Sequence, residues 1–400
     1  LKASKKELSM SNNVRPLSAT SIAAFKACPM RYRLGYVEGI RQAEVSQPLR
    51  FGTAWHTGLE LLSDASLPDP LGAAIDAATA VYATVPDGVA PTDWAVEREI
   101  VANALAGYHW CYGTESDYEV VATEVAFDLP LVNPETNHST PNFRRVGKID
   151  KILRHRASGC LLVGEHKTTS KPIDSGSTYW DRLRKDTQSK FYILAARDLQ
   201  KMEHLDTERG MPVSGLLHDV FHKPQISPKK LTQAESATFV ETGEYCGQTF
   251  QVDVSCIQNK DDDSLPSIGL IEVDGFTAEV EPGKKEGTFA MRETPGMFGA
   301  RLLQDITQRP EFYFARREVP FTDAELVDFQ YQIWAFQKTM SEMERTGHWY
   351  ENEQQCEATF RCPYTSICYN NVACCDGVTV PPGFRRLQSA VVLQTEVGAE

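Results

Sequence analysis

Long apolar runs are missing from this 400-residue chain, and none approaches the ~18–20 residues that a membrane-spanning helix needs. The opening LKASKKELSM has charge but no apolar h-region, which argues against a secretory signal. Met10 reads as the natural start, with an upstream extension before it. Cysteine is sparse, ten residues in 400, too few for a disulfide scaffold. Basic charge is in deficit: 41 Lys and Arg stand against 54 Asp and Glu, a net charge of −13. Taken globally, that weighs against a nucleic-acid partner. No internal repeat is present. What remains is ordinary globular composition, 42% hydrophobic and 24% charged, which excludes a disordered, collagen-like or coiled-coil chain. The length allows two domains, or one domain with large insertions.

The global charge hides an asymmetry. Between Arg144 and Lys230 there are 18 Lys and Arg against 10 Asp and Glu, a local excess of +8 inside an acidic chain. Such a stretch suits a phosphate-binding face, with Arg182, Arg184, Lys185 and Lys190 as candidates for nucleic-acid contact.

Residues 1–16 are polar and read as a flexible N-terminus. Ser18 or Thr20 can cap a short helix that Cys28-Pro29 closes. Helical patterning continues over 52–62, 71–84 and 93–111. Strand-like runs follow at 118–129, 144–156 and 160–167, the last two joined by the hairpin loop Ala157-Ser158-Gly159. A helix over 180–201 and a strand over 213–222 complete an α/β core. Residues 227–299 lose periodicity and read as an insertion with one or two hairpins, including the acidic Asp261-Asp262-Asp263. Thr322 and Glu325 then form a capping box. The helix they open carries the core stripe Leu326, Phe329, Ile333, Phe336, Met340 and Met343.

The sharpest chemistry lies on the strand pair. Asp150 stands in VGKIDKI, and Glu165 and Lys167 stand in LLVGEHKTT. Side chains alternate along a strand, so Glu165 and Lys167 share a face, and hairpin pairing brings Asp150 to the same spot. Two carboxylates and a lysine at one strand end suit a hard cation such as Mg²⁺ beside a group that handles charge on phosphate or water. Taken alone, the triplet also fits exposed polar residues of an edge hairpin. Gln188 and Tyr192, four apart on the next helix, and His56 upstream in FGTAWHTGLELL add to the metal reading.

A second constellation is made of thiols. Cys356, Cys362 and Cys368 are separated by five residues each, and Cys28 is more than three hundred residues away. Four thiolates can hold an iron–sulfur cluster or a zinc ion, and spacing does not choose between them. Cys374 and Cys375 lie beyond this set and read as spare thiols, alternative ligands or residues without function, the last being favoured; Cys160 reads as a core residue.

Gly52-Thr53-Ala54-Trp55-His56 with Leu59-Glu60, Gly147-Lys148-Ile149-Asp150, Glu165-His166-Lys167-Thr168-Thr169, Gln188 and Tyr192 resemble the PD-(D/E)XK nuclease superfamily in its RecB-like exonuclease branch. No proline precedes Asp150, a departure common in this branch. The resemblance implies a divalent metal, Mg²⁺ or Mn²⁺, on His56, Asp150, Glu165 and the carbonyl of His166. It makes Lys167 the catalytic cation, and has Gln188 and Tyr192 orient the site and contact nucleic acid. Phe25-Lys26-Ala27-Cys28-Pro29 and Arg361-Cys362-Pro363-Tyr364 with Cys368 resemble CRISPR-associated and AddB nucleases, which implies a [4Fe–4S] cluster on Cys28, Cys356, Cys362 and Cys368. PEFYFARREV, CPYTSIC and DVFHKP resemble phage-encoded members.

The expected fold is α/β: a restriction-endonuclease-like core with a mixed sheet flanked by helices, a helical N-terminal part and a cysteine-bound C-terminal segment. The expected division is 17–112 helical with Cys28 and His56, 113–230 nuclease core, 231–299 insertion, 300–376 C-terminal helices and iron–sulfur segment, and 377–400 tail. The expected activity is metal-dependent DNA exonucleolysis in end processing or recombination, in the cytoplasm of a bacterial host. The alternative is a DNA-end binding subunit with a structural metal staple and no cleavage of its own, or a zinc-stapled regulator. DNA is the expected partner, with a single-strand annealing protein or helicase beside it, homo-oligomers among relatives, and no membrane.

Overall fold

The structure is a computed structural model that describes residues 14–86, 88–113, 117–205, 213–256, 269–285, 287–358 and 361–387. Met10 and Asp261–Asp263 lie outside the described residues. Six strands form the central sheet: β1 (Arg15–Leu17), β2 (Tyr118–Val132), β3 (Ser139–His155), β4 (Leu161–Thr169), β5 (Val213–His222) and β6 (Phe314–Pro320). The order is β1-β3-β4-β5-β6, with β2 also paired to β3. β1 runs parallel to β3 and β4 parallel to β5, while the other pairs are antiparallel, so the sheet is mixed. This is the helix-flanked mixed sheet of a restriction-endonuclease-like core.

Local chemistry explains the elements that frame it. Helix α1 (Ala19–Ala27) starts at Ser18, whose hydroxyl accepts from the Ser21 N–H at 3.1 Å while the Ser21 hydroxyl accepts from the Ser18 N–H at 2.9 Å. It stops at Cys28, forced into extended backbone by Pro29. Helices α2 (Gln47–Leu62) and α3 (Pro91–Tyr112) each begin with proline in the first turn and match the expected segments within a few residues. One expected helix is two. α4 (Thr178–Arg184) and α5 (Thr187–Lys201) are separated at Lys185 and Asp186, where Asp186 adopts extended backbone. The apolar spacing runs through this break, so periodicity alone joins them.

Three further departures are instructive. Arg15 and Pro16, expected in a flexible terminus, belong to β1, paired with Phe143–Arg145. β6 closes the sheet edge beside β5, although its sequence FARREVP lacks clean alternation. The insertion is more structured than expected. It holds a helix over Gln233–Thr242 with a Thr232/Glu235 capping box, several short hairpins, and the start of α6 (Pro295–Gln308). Leu231, Phe239, Ile271, Met291 and Met297 give it a small core of its own.

Each face of the sheet carries its own core. Leu17, Ile22, Ile149, Val163, Phe191 and Leu216 join α1, α5 and the stripe of α7 (Asp323–Thr346) on one face. Leu326, Phe329, Ile333 and Met340 are buried there, with Phe336 and Met343 packed against them, as the helical spacing requires. On the other face, Phe51, Trp55, Leu105, Phe221, Phe298 and Phe314 join α2, α3 and α6. The C-terminal end of the described chain returns to its N-terminal part: Phe384–Arg386 pairs with Ile40–Gln42, and Tyr364 Oη donates to the Ile40 carbonyl at 2.8 Å. Among the described residues no helix is long and apolar enough to cross a membrane.

Candidate active site

β3 and β4 pair from Arg154/Leu161 to Lys151/Gly164. The next two residues, Asp150 and Glu165, sit where that ladder ends, and both are buried. Asp150 Oδ2 accepts from the His166 N–H at 2.9 Å, and His56 Nδ1 on α2 stands 3.4 Å from Asp150 Oδ1. Lys167 Nζ donates to Glu165 Oε1 at 2.7 Å and to Gln188 Oε1 at the start of α5. Five expected residues therefore converge: His56, Asp150, Glu165, Lys167 and Gln188. Gly147 belongs to the same motif for a steric reason. A Cβ there would stand 2.8 Å from the Phe127 ring and 3.3 Å from that of Tyr192. Lys148, also in that motif, is ion-paired with Glu124.

The electrostatics split the two carboxylates. Burial pushes the Glu165 carboxyl upward, Asp150 adds to that, and Lys167 offsets it only in part. Burial also opposes ionisation of Asp150, but His56 and the His166 N–H overcome it and hold that carboxyl below the usual range. Burial works against the His56 and Lys167 cations too, yet Asp150 raises the first and Glu165 raises the second. Glu165 Oε2 is buried with no hydrogen-bond partner among the described residues. Two neighbouring carboxylates, one with an oxygen unpartnered among the described residues, suit a hard divalent cation by donor chemistry, although as they stand they are not arranged with a third His, Cys, Asp or Glu to hold one. His56, with Nδ1 3.4 Å from Asp150 Oδ1, stands beside them as a further donor.

Behind this pocket the sheet carries polar groups that sequence reasoning did not single out. His166 is buried, its imidazole pushed down to about 3 by burial and by Lys151. Asp219, on β5, accepts from Tyr108 Oη of α3 and from Arg316 Nε of β6, the latter at 3.1 Å. Its signal was available: a lone acid in the apolar strand VSGLLHDVFH must be paired if buried. Tyr108 and Arg316 carry no such signal, because only the topology brings them together. On the catalytic face, His218 is fully buried and held neutral, with Nε2 3.4 Å from Ser189 Oγ.

The profile of the PD-(D/E)XK nuclease superfamily matches residues 16–369. The chain belongs to this superfamily. Its members are generally nucleases that hydrolyse phosphodiester bonds with a divalent metal, typically Mg²⁺ or Mn²⁺. No curated protein sequence matches the chain.

Two parts of the expected PD-(D/E)XK site stand apart from the cluster. Tyr192 is only 1% exposed and packed on Phe127, its hydroxyl without a partner among the described residues, so as placed it offers no surface to nucleic acid. Arg182, Arg184 and Lys185 are exposed around the α4–α5 break, three to six residues before Gln188. Arg184 lies 3.5 Å from Glu325, and the Lys190 ammonium rests about 6 Å from the Phe321 and Phe329 rings.

The four expected thiols meet in space. Cys28, Cys356, Cys362 and Cys368 line one small cavity with Arg31, Glu351 and Tyr364. Cys28 Sγ accepts from the Asn352 N–H at 3.4 Å. Burial pushes the Cys362 thiol up and the Cys368 thiol up to about 12, and each feels Cys28 and Cys356. The four sulfurs suit a soft metal by chemistry and number. Among the described residues, however, no group of three or more His, Cys, Asp or Glu is arranged to hold a metal ion as it stands. Cys160 is half-buried just before β4 rather than in the core. Cys374 packs instead with Leu34 and Ile40.

Proposed function

We propose that this protein is a Mg²⁺- or Mn²⁺-dependent DNA exonuclease, phage or prophage encoded, that processes DNA ends or serves recombination in the bacterial cytoplasm. The observation that carries the reading is the convergence of His56, Asp150, Glu165, Lys167 and Gln188 where the β3–β4 ladder ends, with a Glu165 oxygen buried and without a partner among the described residues. Asp150 and Glu165, with His56 and the His166 carbonyl, would hold the cation. The metal supplies Lewis-acid polarisation of the scissile phosphate and lowers the pKa of a bound water. Lys167 stays protonated and places its positive charge where negative charge develops. Gln188 fixes the direction of that ammonium by accepting one of its protons. Arg182, Arg184 and Lys185 steer the DNA backbone towards the site.

The same reading assigns residues 113–230 to catalysis and makes Cys28, Cys356, Cys362 and Cys368 the ligands of a [4Fe–4S] cluster. The shared cavity supports this assignment, and the resemblance to clustered relatives favours iron over zinc. A single-strand annealing protein or helicase is the kind of partner such an enzyme serves.

The test uses linear DNAs labelled at either end and a circular DNA, each with Mg²⁺ or Mn²⁺. Progressive loss from the ends of linear DNA, with circular DNA spared, is the expected result. Cutting of the circle would replace the exonuclease by an endonuclease. Tight end binding without any cleavage would leave the accessory-subunit reading.

A further inference from the structure

His166 joins the two faces of the sheet at the site. Its N–H orients Asp150, and its chain neighbours are Glu165 and Lys167. Strand alternation sends its imidazole to the opposite face from theirs. There His166 Nδ1 stands 3.7 Å from Asp219 Oδ2, beyond hydrogen-bond reach, and neither ring nitrogen has a hydrogen-bond partner among the described residues, so the two groups meet by packing. Register makes a row of it: His166 lies beside Asp219, and Asp219 beside Arg316. Arg316 Nε donates to Asp219 Oδ2 at 3.1 Å, an Arg316 Nη donates to Tyr108 Oη at 2.8 Å, and Tyr108 Oη donates to Asp219. The Tyr108 ring lies 6.5 Å from that of His166. One carboxylate oxygen thus gathers groups from α3, β4 and β6.

The neighbouring surface is aromatic. Phe221 stacks on Phe51 and on Trp55, and packs against Phe314. A buried ionic network inside such packing carries a desolvation cost, and apolar residues of similar volume are often as stable or more so. Fold stability alone therefore gives no reason for it, whereas its place in register with the site-bearing strand does.

We propose that Tyr108, Asp219 and Arg316 are positioning residues for the metal centre. They wall in the unbonded His166 imidazole by packing from behind the sheet. Through it they fix the backbone of residues 165–167, which presents the Glu165 and Lys167 side chains, the His166 carbonyl and the N–H that aims Asp150. The inference rests on the divalent-metal nuclease reading of that centre. Catalytic groups must be held within about 0.5 Å of productive geometry, which a second layer of packed, hydrogen-bonded residues secures.

The test uses the full chain with Tyr108→Phe, which removes one oxygen and keeps the ring packing, and with Asp219→Asn. Three quantities are measured: Mn²⁺ affinity by calorimetry without DNA, kcat and KM for DNA at saturating Mg²⁺, and the melting temperature. Both variants should fold, bind Mn²⁺ more weakly, and lose about tenfold in kcat with KM unchanged. Arg316→Lys should retain more of both than Arg316→Met. Folded variants with wild-type Mn²⁺ affinity and wild-type kcat would reduce the network to packing and overturn the inference. If Asp219→Asn does not fold, Tyr108→Phe decides by itself. Wild-type protein that neither binds Mn²⁺ nor cleaves DNA would instead overturn the nuclease reading, and this inference with it.

Discussion

The carboxylate centre and the cysteine cavity are built from opposite materials. The first takes its main residues from one stretch, Asp150 to Gln188, and balances itself: Glu165 has Lys167, Asp150 has His56 and the His166 N–H, and Lys167 has Gln188. The second takes its residues from both ends of the chain and sets one buried and three half-buried cysteines in a cavity with Arg31, Glu351 and Asn352, without charged partners matched to each thiol. A centre that is already charge-paired can persist without an ion, because its charges are compensated by protein. A cavity lined by four thiols would gain its cohesion if thiolates bound a metal there, and that binding energy would be folding energy. Losing the ion should therefore silence the first centre and unfold the surroundings of the second.

The largest effect tests the first half of that contrast. Glu165→Ala and Lys167→Ala should each lower cleavage by ~10³-fold or more, with DNA binding and circular dichroism preserved. Stability should hold or rise in the glutamate variant at neutral pH. Burial raises the folded-state pKa of Glu165, so its contribution is complete only below the ordinary carboxylate range and is lost as pH climbs through the raised value. Wild-type cleavage rates in Glu165→Ala protein would remove the site.

The next effect tests the second half. Protein purified without oxygen should be brown and hold iron and sulfide. Cys28→Ala should lose the colour, become protease-sensitive and lose activity through unfolding, because the cluster would close a loop spanning most of the chain. Cys111→Ala and Cys246→Ala should keep it, since neither residue lines the cavity. Full iron content in Cys28→Ala protein would take Cys28 out of the site, and zinc in place of iron would leave a staple of a different metal.

The same contrast decides what the sequence could disclose. Asp150, Glu165 and Lys167 were legible because alternation on a strand and a hairpin loop fix their relative places locally. The α7 stripe and its capping box were legible for the same reason, as local periodicity. The helix break at Lys185-Asp186 was not, because apolar spacing on both sides stays in phase. Nor was β6, an edge strand whose partner is set by topology rather than by its own alternation. Asp219 was visible as a lone acid among apolar residues, but its partners Tyr108 and Arg316 come from elements 111 and 97 residues away in sequence. Long-range partners leave no local trace.

The smallest effect concerns charge at the approach to the carboxylate centre. Arg184 and Lys185 are exposed at the α4–α5 break, just ahead of Gln188, so DNA held there would lead into the pocket. Glu325 already competes for Arg184 at 3.5 Å, a surface pair of little strength. A phosphate can displace it, releasing counterions from the DNA as it does so. Affinity for DNA should thus fall steeply with salt despite the acidic chain. Reversing both charges, Arg184→Glu with Lys185→Glu, should weaken binding about tenfold near 0.1 M salt and flatten the salt slope by about two. The loss should be alike for all sequences, since phosphates carry no base identity. Cleavage at saturating DNA should stay near wild type. Lys190→Ala should matter less, because its ammonium rests against the Phe321 and Phe329 rings rather than standing free at the break. Binding indifferent to salt, or a double reversal without effect, would move the DNA path to another face of the protein.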